Sequence, residues 1–181
     1  MKRQAILNLL NNYLIQYPNE QQAVQRFQTF VETYPDCFER TQKVGHVTGS
    51  AWVVNQANTH VLLTHHKKLN KWLQLGGHAD GESDILKAAM IEVEEESGLA
   101  AFEAISTEIF DIDIHAIPAR GDEPEHFHYD VRFAIRAIGS DDYIVSDESH
   151  DLSWVAIENL AQYNDETSVL RMAEKHFANL K

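Results

Sequence analysis

Gly76-Gly77-His78-Ala79-Asp80-Gly81-Glu82-Ser83-Asp84-Ile85-Leu86-Lys87-Ala88-Ala89-Met90-Ile91-Glu92-Val93-Glu94-Glu95-Glu96-Ser97-Gly98-Leu99 is the stretch on which the reading of this chain turns. A glycine-rich turn leads into a helix predicted from about residue 84 to 97, with Gly98 as its C-terminal stop. Each helical residue turns about 100°, so Glu92, Glu95 and Glu96 fall on one side, within an arc of roughly 100°. Ile85, Ala88 and Ala89 occupy that side one to two turns earlier, and Glu94 points almost the opposite way. A glutamate run is ordinarily a solvated face. These three carboxylates instead continue a core-facing stripe, in the half of the helix where the macrodipole repels them, and that is costly unless a positive group compensates. A divalent cation does so. All-oxygen donors suit Mg²⁺ or Mn²⁺; the i, i+4 pair can span one ion, with the i+3 group reaching the same ion or a second.

Outward from this helix, residues 72–75 read as a short strand running into the double glycine. Residues 46–54 and 61–64 read as a hairpin around the polar turn 55–60, and residues 105–114, 126–137 and 152–157 as further strands. A last helix is expected over about 167–180. Upstream, Ile6, Leu9, Leu10, Tyr13 and Leu14, then Ala23, Val24, Phe27, Phe30, Val31 and Tyr34, recur at helical spacing on either side of Pro18. The chain therefore divides into an N-terminal helical pair (1–38) and a main domain (39–181). Strands mixed with few helices and no βαβ regularity point to an α+β or α/β/α sandwich, not a doubly wound sheet. The helical pair either packs on the domain or forms a homodimer contact.

The 181 residues carry 28 acidic against 15 basic side chains, a net charge of -13, which opposes binding to duplex nucleic acid or anionic membranes. A phosphate-bearing substrate would need cations to be held. Cys37 is the single cysteine, so no intramolecular disulfide forms and a reducing cytoplasm fits. The N-terminal stretch is interrupted by Asn8, Asn11 and Asn12 and does not read as a signal peptide. No window approaches the roughly 20 apolar residues of a membrane span.

Aligned backwards from Gly98-Leu99, residues 77–99 resemble the Nudix box, GX5EX7REUXEEXGU, with Val93 as the aliphatic and Glu92, Glu95 and Glu96 as its glutamates. The resemblance of the strand pattern extends over about 45–160 and implies a Nudix α/β/α sandwich with a mixed sheet. It further implies that Glu92, Glu95 and Glu96 are ligands of Mg²⁺ or Mn²⁺, that Gly76 offers a backbone carbonyl, and that the metal holds a substrate diphosphate. The implied reaction is hydrolysis of a phosphoanhydride in a nucleoside diphosphate linked to another moiety. Two positions depart from the box. Its early glutamate falls on Ser83, beside Glu82 and Asp84, and its arginine, which in the family orients a catalytic glutamate, is Ile91. The second departure keeps open the alternative of a weak or inactive nucleotide-binding module.

The water-activating base in the family is a box glutamate or a later acid. Here Glu92 and Glu95, or Asp147 and Glu148 ahead of Leu152, are the candidates. In His126-Phe127-His128-Tyr129-Asp130, polar residues alternate with apolar ones, as do Asp111, Asp113 and His115 in the neighbouring run. His126, His128 and Asp130 read as a substrate-binding wall, with a transition-metal trio as the other reading. His78, inside the box turn, is a candidate substrate contact, and Lys67, Lys68 and Lys71 form a basic island.

Overall fold

Ten consecutive buried residues, Gly45–Val54, form the central strand β1. The computed structural model describes residues 2–147 and 149–179. The alternation within β1 splits the core in two. Ala51 and Val53 join Leu62, Leu75, Val93 and Ile135 on one side, and Trp52 and Val54 join Val61, Leu63, Val169 and Met172 on the other. A strand covered on both faces requires helices on both faces. The helix Ile85–Ser97 supplies Val93 to the first cluster, and the helix Thr167–Asn179 supplies Val169 and Met172 to the second. The result is an α/β/α sandwich.

The sheet has eight strands and is mixed. In chain order after β1 they are β2 (His60–His66), β3 (Lys71–Leu73), β4 (Leu75–His78), β5 (Phe102–Ala104), β6 (Asp111–Ile117), β7 (His126–Ala137) and β8 (Ser149–Ala156). One edge of β1 runs parallel to β7 from Gly45↔Phe127 to Val54↔Arg136. The other carries β4 antiparallel over residues 48–51 and meets β2 at Val54↔Val61. β2 also pairs with β3 and β8.

Two strand expectations change. Residues 72–75 are not one strand: Lys71–Leu73 pairs with β2 and Leu75–His78 with β1, and the chain switches partner at Gln74. Residues 105–114 are not one strand either. β5 and β6 lie on the same edge of β7, with the Ile105 amide bonded to the Ala134 carbonyl and the Phe110 amide to that of Arg132. The polar residues between bulge out from that edge, a length mismatch that apolar patterning does not reveal.

The helices α1 (Lys2–Gln16) and α2 (Gln21–Thr33) are separated by a 3-10 turn at Pro18–Glu20, where proline removes a backbone donor. Their apolar faces are taken up by the chain's own sheet: Ile6, Leu10, Phe27 and Phe30 share one cluster with Val47, Ile112, Tyr129 and Phe133. Phe30 stacks on Tyr129 with ring centroids 3.8 Å apart. Among the described residues no helix is long and apolar enough to cross a membrane.

Candidate active site

The helix α3 (Ile85–Ser97) begins at Asp84, whose side chain accepts from the Lys87 amide at 3.1 Å, and ends at Gly98 in the left-handed conformation (φ 60°). Both ends are thus satisfied locally. Its small residues bring it close to the sheet: a Cβ on Gly49 of β1 would lie 3.1 Å from the Ala89 amide. The two glycines of the turn are needed for a similar reason. Gly76 has a φ of 154°, and a Cβ there would strike Ser50, while a Cβ on Gly77 would land on the Glu92 carboxylate. The double glycine lets β4 lie against both β1 and the glutamates of α3.

Glu96 is 7% exposed, and its Oε2 accepts from the Gly76 amide at 2.9 Å. Glu92 is half-buried and Glu95 is exposed. All three line one cleft of about 550 Å³ together with Gly76, Gly77 and His78. Glu94 is exposed and lies outside that lining. Ile91, in the place of the box arginine, is 42% exposed and also lies outside it.

His128 and Asp130 of β7 reach the cleft, but His126 does not; it is buried, with Nδ1 2.9 Å from the Pro124 carbonyl oxygen. The carboxylate of Asp130 is engaged within the protein, accepting from Thr48 Oγ1 at 2.8 Å, Ser50 Oγ at 2.7 Å and Arg132 Nε at 2.8 Å. His126, His128 and Asp130 therefore do not converge as a ligand trio. Among the described residues the imidazoles that do converge are His46, His78 and His128. Glu148 lies outside the described residues. Its neighbour Ser146 lines the cleft, and the Asp147 carbonyl accepts from Lys67 Nζ at 2.6 Å. Of the basic island, Lys71 pairs with Glu166 at 2.5 Å and Lys68 lines the cleft.

Sequence reasoning missed Arg40, which lines the cleft and holds Asp80 through Nε at 2.6 Å and Nη2 at 2.5 Å. Its pKa is raised, first by the Asp80 hydrogen bond and also by the charge of Glu92. No motif marks residue 40. It also missed the hydroxyls of Thr48 and Ser50, although polar residues at 46, 48 and 50, alternating along an otherwise apolar strand, were a readable signal. Arg132 of β7 is buried among aspartates: it contacts Asp111 at 3.1 Å, Asp130 at 2.8 Å and Asp113 at 3.5 Å.

The sequence matches the NUDIX domain family over residues 45–175. No curated protein matches the chain. Among solved structures, the C. elegans Ap4A hydrolase binary complex is similar with a TM-score of 0.60 at 18% identity, covering 74% of this chain and 96% of that one. A NUDIX-family hydrolase from Clostridium perfringens gives 0.53 at 23%, covering 74% and 97%. The E. coli dihydroneopterin triphosphate pyrophosphohydrolase gives 0.57 at 14%, covering 74% and 95%. At such identities these likenesses speak to the fold.

Proposed function

The chain belongs to the NUDIX family of phosphoanhydride hydrolases, and on that premise we propose that it is a Mg²⁺- or Mn²⁺-dependent pyrophosphohydrolase acting on a nucleoside diphosphate linked to another moiety. The observation that carries this reading is that Glu92, Glu95 and Glu96 meet the Gly76-Gly77 turn in a single cleft. Substrates of related chemistry name two of the similar structures, an Ap4A hydrolase and a dihydroneopterin triphosphate pyrophosphohydrolase.

The residues present fit a hard dication: three carboxylates and the Gly76 carbonyl form an all-oxygen set, with Glu96 buried and held from behind by a backbone amide. Glu92, Glu95, Glu96 and Gly76 would hold it. When bound, such an ion withdraws charge from phosphoryl oxygens and lowers the pKa of water. Glu92 and Glu95 are cleft carboxylates able to take the proton of the attacking water, and the sequence offers Glu148 as a further acid. Arg40 and Lys68 draw the phosphates into an otherwise acidic protein. His78 and His128 also line the cleft. The Thr48 and Ser50 hydroxyls, which line the cleft with Asp130, donate to its carboxylate. The single cysteine, Cys37, is buried, with its thiol pushed up to about 11 mainly by desolvation, and so is a poor nucleophile at neutral pH.

A second reading, a binding module with lost turnover, is favoured by one observation only, the aliphatic Ile91. The deciding assay exposes the purified chain to nucleoside diphosphate sugars, dinucleoside polyphosphates and nucleotide-alcohol diphosphates, with Mg²⁺, with Mn²⁺ and with chelator. Cation-dependent release of product is the expected result. Binding without turnover across the panel would establish the second reading, and neither binding nor turnover would sink both.

A further inference from the structure

His46, His78 and His128 come from three adjacent strands. His46 of β1 is the register partner of His128 of β7, and His78 of β4 is the partner of Thr48, two residues along β1. Neighbours in register, and residues two apart, share a face. The three imidazoles therefore stand side by side, with ring centroids 4.9 Å (His46–His78), 4.8 Å (His46–His128) and 5.2 Å (His78–His128) apart. One ring nitrogen from each lies within 4.8 Å of the others. His46 is 1% exposed; its ring approaches the Gln42 backbone, but neither ring nitrogen makes a hydrogen bond of good geometry among the described residues. A buried imidazole so weakly matched is costly.

We propose that His46, His78 and His128 form a second metal site, for a borderline transition metal of the Zn²⁺ type, separate from the glutamate site and open to the same cleft. A tetrahedral ion with metal–nitrogen bonds near 2.1 Å places its ligands about 3.4 Å apart, so modest ring rotations close the present cluster around one ion. Three nitrogen donors without a carboxylate suit Zn²⁺, Co²⁺ or Ni²⁺ and disfavour Mg²⁺. Two further imidazoles lie beside the cluster, His115 with its ring 5.4 Å from that of His128 and His126 with its ring 5.0 Å from that of His46. His78 and His128 line the cleft, so a fourth coordination position facing it would take water or an anionic oxygen of a bound phosphate.

The proposal does not require the chain to be a hydrolase. Its test uses the full chain stripped with chelator, then titrated with Zn²⁺ by calorimetry and with Co²⁺ by visible absorption. The expected result is one Zn²⁺ per chain, unaffected by excess Mg²⁺, with the intense visible bands of four-coordinate Co²⁺. H128Q and H78N should each weaken Zn²⁺ binding by more than about a hundredfold, while E96Q leaves it unchanged. His78 is only half-buried, so H78N keeps the test valid if other variants misfold, with circular dichroism as the check on fold. No stoichiometric binding by the wild-type chain, equal binding by H78N and H128Q, or loss of the site in E96Q would each overturn the proposal.

Discussion

The amide of Gly76 donates to the Glu96 carboxylate across 2.9 Å, so the turn that opens the cleft and the last turn of α3 are hydrogen-bonded to one another. A glutamine at 96 can still accept that bond, so Glu96→Gln removes charge and preserves the contact. Turnover should fall at least about a hundredfold, the scale seen when one electrostatic stabiliser of a transition state is lost. Glu94→Gln, on the exposed side of the same helix, should change little. Steady-state kinetics on both variants check this, and equal losses would contradict the helical-face argument.

Ile91 and Arg40 form a second test. Ile91 is 42% exposed, so an arginine there stays solvated, and Ile91→Arg should shift stability by no more than about 0.5 kcal/mol. Arg40 is one cation whose field meets Glu92, after those of Asp80 and Glu123 on the guanidinium. Its pair with Asp80 has side chains 58% and 51% exposed and stabilises the fold by no more than about 1 kcal/mol. Arg40→Gln should therefore leave the melting temperature nearly unchanged yet lower kcat/KM by about tenfold, equivalent to about 1.4 kcal/mol. A tenfold rate gain from Ile91→Arg, with Arg40→Gln silent, would remove Arg40 from this role.

Asp111 provides the pH test. It is fully buried and meets Arg132 at 3.1 Å, Arg171 at 2.8 Å and Lys175 at 2.6 Å. Burial opposes its ionisation, but the Arg171 hydrogen bond and the charges of Arg132 and Lys175 outweigh that, and the carboxyl is held below its ordinary 3.8. A depressed carboxyl stabilises the fold above its unfolded pKa, and this stabilisation is lost as pH falls through the folded value. Asp111→Asn strands buried cations and should cost about 3–5 kcal/mol at neutral pH. Denaturant unfolding of both proteins should show that gap narrowing below about pH 4. A gap independent of pH would show that Asp111 is not ionised in the fold.

The helical pair is tested by truncation. Phe30 is 3% exposed and stacks on Tyr129, so Phe30→Ala should cost about 3–5 kcal/mol. Deleting residues 1–38 uncovers Val47, Ile112, Tyr129 and Phe133, and sedimentation should show self-association or aggregation. A monomeric truncated chain with an unchanged melting temperature would mark the helices as a loose attachment.

Helix α3 was legible because a helix of fixed pitch converts spacing directly into direction: positions 92, 95 and 96 share a side in any fold. The double glycine was legible as a turn, but not its purpose, since contact of Gly77 with Glu92 joins residues fifteen apart in the chain. The strand 105–114 was misread because two strands, 102–104 and 111–117, pair with one edge of β7 around a bulge, and edge pairing leaves no mark on apolar periodicity.

Local chemistry written within about one helical turn or one strand belongs to the sequence alone: the glutamate cluster, the stop at Gly98, the alternation along β7 and the amphipathic faces of α1 and α2. Tertiary structure alone decided what meets across strands. It set His46 beside His128 through parallel register and His78 beside both through β4, and it brought Arg40 to Asp80 across the cleft mouth. It also engaged the Asp130 carboxylate, which the sequence offered to substrate, with Thr48, Ser50 and Arg132. The reason is physical: pitch and pleat are properties of the backbone at each residue, whereas register and partner choice follow from which apolar faces can be buried together, a condition on the whole chain at once.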